Sequence, residues 1–71
     1  MSTVDVYGLR VNQARVMRAM TVTAVMEALG WKHSRLNRVE KSTTATLSAT
    51  DFERLVEVLR FPAKFFTTAP T

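Results

Sequence analysis

A chain of 71 residues with a formal net charge of +4 has room for one small domain, which excludes a multidomain enzyme and any architecture built on a long alternating sheet. It holds no cysteine and one histidine, so no disulfide framework or metal-ligand cluster is expected; 46% hydrophobic against 23% charged residues fits a folded globular domain rather than a disordered chain. No apolar run approaches the roughly 20 residues that span a bilayer, and residues 1–10 carry no basic flank followed by a hydrophobic stretch, so a cytoplasmic protein is the expectation.

The apolar spacing predicts an all-α domain of four to five helices, with no strand. Tyr7, Val11, Ala14 and Arg18 fall at offsets 0, 4, 7 and 11, one stripe of a 3.6-residue period, which predicts a first helix over about residues 6–18. Thr21 is an N-cap for a second helix whose Val22, Val25, Met26 and Leu29 sit at 0, 3, 4 and 7, and Gly30 supplies the left-handed exit. A third, short and polar helix covers about residues 33–41, with Leu36 and Val39 inward and the Trp31 ring packed below its start. Residues 41–46 have no periodicity and many hydroxyls, and read as a loop. Ser48 with Asp51 three residues on is a capping signature for a fourth helix with Phe52, Leu55, Val56 and Leu59 inward. Phe61-Pro62 ends it, and Pro62 opens one more turn through Phe66 before a polar tail over 67–71. Trp31, Phe52, Leu55 and the methionines are assigned to the core.

Charge is uneven along the chain. Between Arg10 and Lys41 lie seven basic residues against two acidic ones, a local excess of five, and the remainder carries a net −1. A basic stretch beside a mildly acidic one is the pattern of a nucleic-acid face, and equally of a solvated helix face. A capped helix, a glycine turn, a bulky apolar residue and a short basic helix form the plan of a helix-turn-helix, in which the second helix keeps its outer face free for the roughly 12 Å wide major groove. That outer face is Lys32, His33, Ser34, Asn37 and Arg38. Arg38 suits a forked contact to guanine and Asn37 one to adenine. No nucleophile stands beside a base with an orienting group, no glycine-rich phosphate loop is present and no metal spacing occurs, so no catalytic residue, cofactor or small-molecule substrate is expected.

The motifs in order resemble the lambda-repressor-like or Cro-type helix-turn-helix domains, the xenobiotic-response-element family of bacteria and phages. Residues 8–21 are similar to that family's first helix and the start of its second, Val25 to Trp31 to its second helix and turn, and Ser34 to Lys41 to its recognition helix. Leu47-Ser48 through Phe66 resembles its fourth helix and a closing turn of proline then two aromatics, as in domains that precede ImmA/IrrE-type peptidases in phages and mobile elements; the peptidase portion is absent here. The resemblance covers nearly the whole chain and implies one domain over residues 1–66, with its helix-turn-helix at about 21–41.

The resemblance further implies that Arg15 pairs with Glu40, that Lys32, His33, Ser34 and Arg38 read bases, and that Thr21, Thr23, Lys41, Ser42, Thr43 and Thr44 meet backbone phosphates. Three positions depart from the family pattern: Val22 where a phosphate-clamping glutamine is frequent, Met26 where a small residue is usual, and Ser42 where a glycine often ends the recognition helix. Phe61, Phe65 and Phe66 are more aromatic surface than so small a body is expected to cover, and are candidate dimer contacts that would set two half-sites about 34 Å apart. The expected function is sequence-specific binding of double-stranded DNA by a repressor or Cro-like regulator of a phage or mobile element, with about 4 phosphates contacted per chain and a log K slope against log salt near −3.6. The competing expectation is a protein-interaction module on the same fold, using Val22, Met26 and the C-terminal phenylalanines.

Overall fold

The computed structural model describes residues 2–70; Met1 and Thr71, the ends of the expected domain and tail, and Met1 as an expected core methionine, lie outside them. The order of elements is β1 (Thr3–Tyr7), α1 (Gly8–Met17), α2 (Val22–Leu29), α3 (His33–Lys41), β2 (Thr44–Ser48), α4 (Ala49–Leu59) and α5 (Ala63–Thr67). The five helices follow the expected architecture, and the two strands are an addition to it.

Residues 3–7 alternate apolar and polar, so Val4 and Val6 turn inward while Thr3 and Asp5 face solvent. They pair antiparallel with β2 in the register Val4 to Leu47 and Val6 to Ala45. The expected first helix therefore loses its start: Val6 and Tyr7 belong to β1, and Tyr7 is the N-cap of α1. The expected loop over residues 41–46 is likewise half strand, because its β-branched threonines fit an extended edge once β1 supplies the ladder partner. Thr46 Oγ1 donates to Asp5 Oδ1 across the pair at 2.6 Å.

Local capping fixes the helices from α2 onward. The Thr21 hydroxyl accepts from the Ala24 amide at 3.0 Å, and Gly30 exits at φ 73°, letting the chain turn into α3. Trp31 is buried, as are Leu36 and Val39 on the inner side of α3. Ser42, in place of a glycine, leaves α3 in an extended conformation, and its hydroxyl donates to the Arg38 carbonyl at 2.6 Å, satisfying one of the orphan acceptors at the helix end. Ser48 accepts from the Asp51 amide at 3.1 Å and starts α4, which buries Leu55 and Leu59 and half-buries Phe52 and Val56. Arg60, left-handed at φ 56°, ends α4 before the proline does, and Pro62 is the N-cap of α5.

Two core assignments need correction. Met17 is 66% exposed, because its place on α1 faces away from the buried Val11 and Ala14; Met20 and Met26 are half-buried against the core. Phe66 is wholly buried and is a core residue, not a dimer contact: its ring meets those of Phe52, Phe61 and Phe65 edge-on at 6.4, 6.5 and 5.5 Å. Phe61 and Phe65 stack on each other at 4.6 Å and are half-buried, covered by the guanidinium groups of Arg18 and Arg10.

Candidate nucleic-acid interface

The outer flank of α3 is polar because only Leu36 and Val39 of its nine residues are buried. Lys32, the N-cap, and His33, Ser34, Arg38 and Lys41 are exposed; Asn37 is half-buried, with its Nδ2 3.1 Å from His33 Nδ1. The exposed Arg38 side chain stands between two open depressions. One of about 560 Å³ also touches Trp31, Lys32 and Ser34, and one of about 270 Å³ is shared with Ser42 and β2.

An ion pair at each end holds α3 in place. Toward its C-terminus the Glu40 carboxylate accepts from Arg15 Nε at 2.8 Å, from Arg15 Nη2 at 3.1 Å and from Asn12 Nδ2 at 2.8 Å, which ties α3 to α1. The same guanidinium donates through Nη1 to the Met20 carbonyl at 3.0 Å. Near its N-terminus Arg35 lies over the Trp31 ring at 4.2 Å and donates to Asp51 Oδ2 at 2.8 Å, which ties α3 to α4. Sequence reasoning missed Asn12 and the structural part of Arg35. The four-residue spacing from Trp31 to Arg35, which stacks a cation on an aromatic face, was the available signal for the latter.

The Asp51 carboxyl is held below the usual aspartate range chiefly by its hydrogen bond from Arg35; partial burial opposes this, and the Arg35 charge, the Ser48 hydroxyl and the Trp31 indole lower it further. The indole Nε1 is buried and meets no acceptor in full hydrogen-bond geometry, so its contribution to Asp51 is the least of these. Because the folded-state value lies below the unfolded one, the stabilisation from this pair is present above the ordinary value of 3.8 and is lost as pH falls through the folded value. Acidification from pH about 5 to about 2 is therefore expected to lower the Tm of the parent more than that of Asp51→Asn, measured by circular dichroism. Parallel acid curves would contradict the assignment.

The placement of the basic residues differs from the expectation drawn from the Arg10 to Lys41 block. Arg10 turns to Phe65 of α5 and Arg18 to Phe61 after α4, Arg15 is spent on Glu40, and Arg35 on Asp51, which leaves Lys32, Arg38 and Lys41 as the free cations of the α3 flank. Thr21 and Thr23 are exposed at the start of α2, and Thr43 and Thr44 beyond α3, with Thr44 in β2 rather than a loop. The Ser42 hydroxyl is half-buried on the Arg38 carbonyl. Val22 and Met26 pack partly on the core, and the start of α2 offers no polar side-chain clamp at Val22.

A buried inner face, a left-handed glycine exit and an outward polar helix define a helix-turn-helix. The model of the family described as helix-turn-helix domain matches residues 6–64, and the chain belongs to that family. Its fold is similar to that of SinR, the master regulator for biofilm formation, whose crystal structure was solved in complex with DNA: the TM-score is 0.71 at 23% identity, over 80% of this chain and 90% of that one. No curated protein matches the chain. Among the described residues, no helix is long and apolar enough to cross a membrane.

Proposed function

We propose that this chain is a sequence-specific regulator that binds double-stranded DNA and reads the major groove with α3, as a repressor or Cro-like protein of a phage or mobile element. The observation that carries the reading is the combination on α3 of an outward flank with free cations and an inward side fixed by Leu36, Val39 and two ion pairs. Such fixation is what a reading element requires, since a helix free to rock would spread its base contacts over several registers. The likeness to SinR, solved on DNA, supports it.

Arg38 forks to guanine; His33, Ser34 and Lys32 complete the flank, and Asn37 reads adenine once it leaves His33. Lys41, with Thr21, Thr23 and the Ser42 to Thr44 segment, meets phosphate. With Arg38 on a base edge, Lys32 and Lys41 are the free cations left to neutralise phosphate, which brings the expected salt slope to about −1.8 per chain. The competing reading through Val22, Met26 and the C-terminal phenylalanines keeps less surface, since Val22 and Met26 pack partly on the core and Phe66 is buried, while Phe61 and Phe65 stay half-buried.

Selection of bound duplexes from a random pool should recover a short motif. On that motif Arg38→Ala is expected to relax preference at one position by about 1 to 3 kcal/mol, while Lys41→Ala weakens all duplexes alike and lowers the slope by about 1. Affinity that stays flat from low to moderate salt, or equal losses of preference in both variants, would overturn the reading.

A further inference from the structure

The exposed large apolar side chains among the described residues are Leu9, Val16 and Met17, at 49%, 58% and 66% exposure, and all three are on α1. Offsets of 0, 7 and 8, with Gln13 at 4, put them on one stripe of the helix. A surface helix ordinarily turns polar residues outward, so α1 carries a second apolar face besides the Val11 and Ala14 face it buries. The stripe borders α5. A groove of about 420 Å³ runs there, lined by Arg10, Asn12, Gln13, Val16, Met17 and Phe65.

The charge along this seam is of one sign. Arg10 lies over Phe65 at 4.9 Å and is held by Gln13 and by the carbonyls of Thr68 and Ala69 at 3.2 Å each. Arg18 lies over Phe61 at 4.5 Å and donates to the carbonyls of Leu59 and Arg60. Lys64 borders the adjoining groove with Arg10 and Phe65. None of these guanidinium groups meets a carboxylate, and no acidic residue occurs in α1, in α5 or in residues 60–70. Arg10, Arg18, Arg60 and Lys64 are four of the ten basic residues, and none of them makes an ion pair among the described residues.

We propose that the seam between α1 and α5 is a docking surface for an acidic amphipathic helix of another protein, whose apolar stripe covers Val16, Met17 and Phe65 and whose carboxylates pair with Arg10 and Arg18. The guanidinium groups are already fixed on aromatic rings and carbonyls, so little side-chain order remains to be lost on binding. A two-fold contact with the same seam of a second copy would bring these cations against their like and is excluded. A duplex is excluded because its phosphates would lose hydration against three apolar side chains that offer them no hydrogen bond. α1 packs on α3 by one side and on α5 by the other, so the seam does not overlap the α3 flank and the inference does not rest on the DNA reading.

The test uses two synthetic helical peptides of about 18 residues with the same leucine stripe, one flanked by glutamate and the other by lysine, titrated into the isotope-labelled chain and followed by amide chemical shifts. The glutamate peptide is expected to move the amides of α1 and α5, to leave those of α3 in place, and to bind at least about tenfold more tightly than the lysine peptide. Met17→Asp should weaken it about tenfold with an unchanged Tm, whereas Met17→Leu keeps it. Equal or absent binding of the two peptides, shifts confined to α3, concentration-dependent shifts at Val16 and Met17 in the free protein, or movement of those amides by a DNA duplex would each overturn the proposal.

Discussion

Replacing Glu40 with alanine is expected to lower the unfolding free energy by about 3 to 5 kcal/mol, read as a fall in the urea midpoint with little change in slope. A domain of this length is stable by only about 4 to 10 kcal/mol, so the loss takes a large share of the whole. The reason lies in what stays behind. The Glu40 side chain is 7% exposed and Arg15 16%, and the carboxylate takes three of the hydrogen bonds that cross between α1 and α3. Without it, the guanidinium keeps only the Met20 carbonyl and remains a desolvated charge with no counter-ion.

The double replacement Arg15→Met with Glu40→Met should therefore cost less than Glu40→Ala alone, because no charge is left stranded; this coupling distinguishes a buried pair from two independent contacts. The other clamp provides the scale. Arg35 and Asp51 are 43% and 29% exposed, and water screens them, so Asp51→Ala, which keeps the amide that Ser48 caps, should cost about 1 kcal/mol or less. A Glu40→Ala variant within about 1 kcal/mol of the parent would mean that solvent reaches Arg15 more freely than its burial implies.

What could be read from the sequence was what acts over one helical turn. Thr21 and Ser48 accept from amides three residues on, Gly30 takes a left-handed φ at its own position, and Leu36 and Val39 share a face by spacing. The strands were missed because neither has a partner within its own neighbourhood: Val6 meets Ala45, and a period of two across residues 3–7 was masked by a helical stripe counted from Tyr7. Charge failed for a related reason. Arg10, Arg15 and Arg18 are neighbours along the chain, yet Arg15 turns to Glu40, Arg10 lies over Phe65 of α5 and Arg18 over Phe61 between α4 and α5, so a basic block did not correspond to a basic face. The polar flank of α3 was legible because its own burial pattern defined it; the bonds that hold it at an angle were not, since they join residues 16 to 28 positions apart.

Gly8 is the second position of large effect. Gly8→Ala is expected to cost about 3 kcal/mol or more, although alanine is the better helix former and Gly8 is the first residue of α1. A methyl group there would overlap the carbonyl oxygens of Ser42 and Val39 and lie 3.0 Å from that of Glu40. All three are backbone atoms at the end of α3, so no rotamer change relieves the clash. The Gly8 amide also donates to the Thr43 carbonyl at 3.3 Å, which brings the positive end of α1 against the negative end of α3. Relief requires α1 to move off α3, and that movement pulls Arg15 away from Glu40, so both the packing and the orientation of the outer flank are lost together. Gly30→Ala is the control. Nothing lies within 4 Å of a Cβ at Gly30, so only the left-handed φ of 73° is strained, and the cost should be about 1 to 2 kcal/mol with the α1 to α3 junction intact. Urea midpoints, together with amide shifts at Glu40 and Ser42, separate the two. A Gly8→Ala variant as stable as Gly30→Ala, with those amides unmoved, would show that α1 and α3 do not approach this closely.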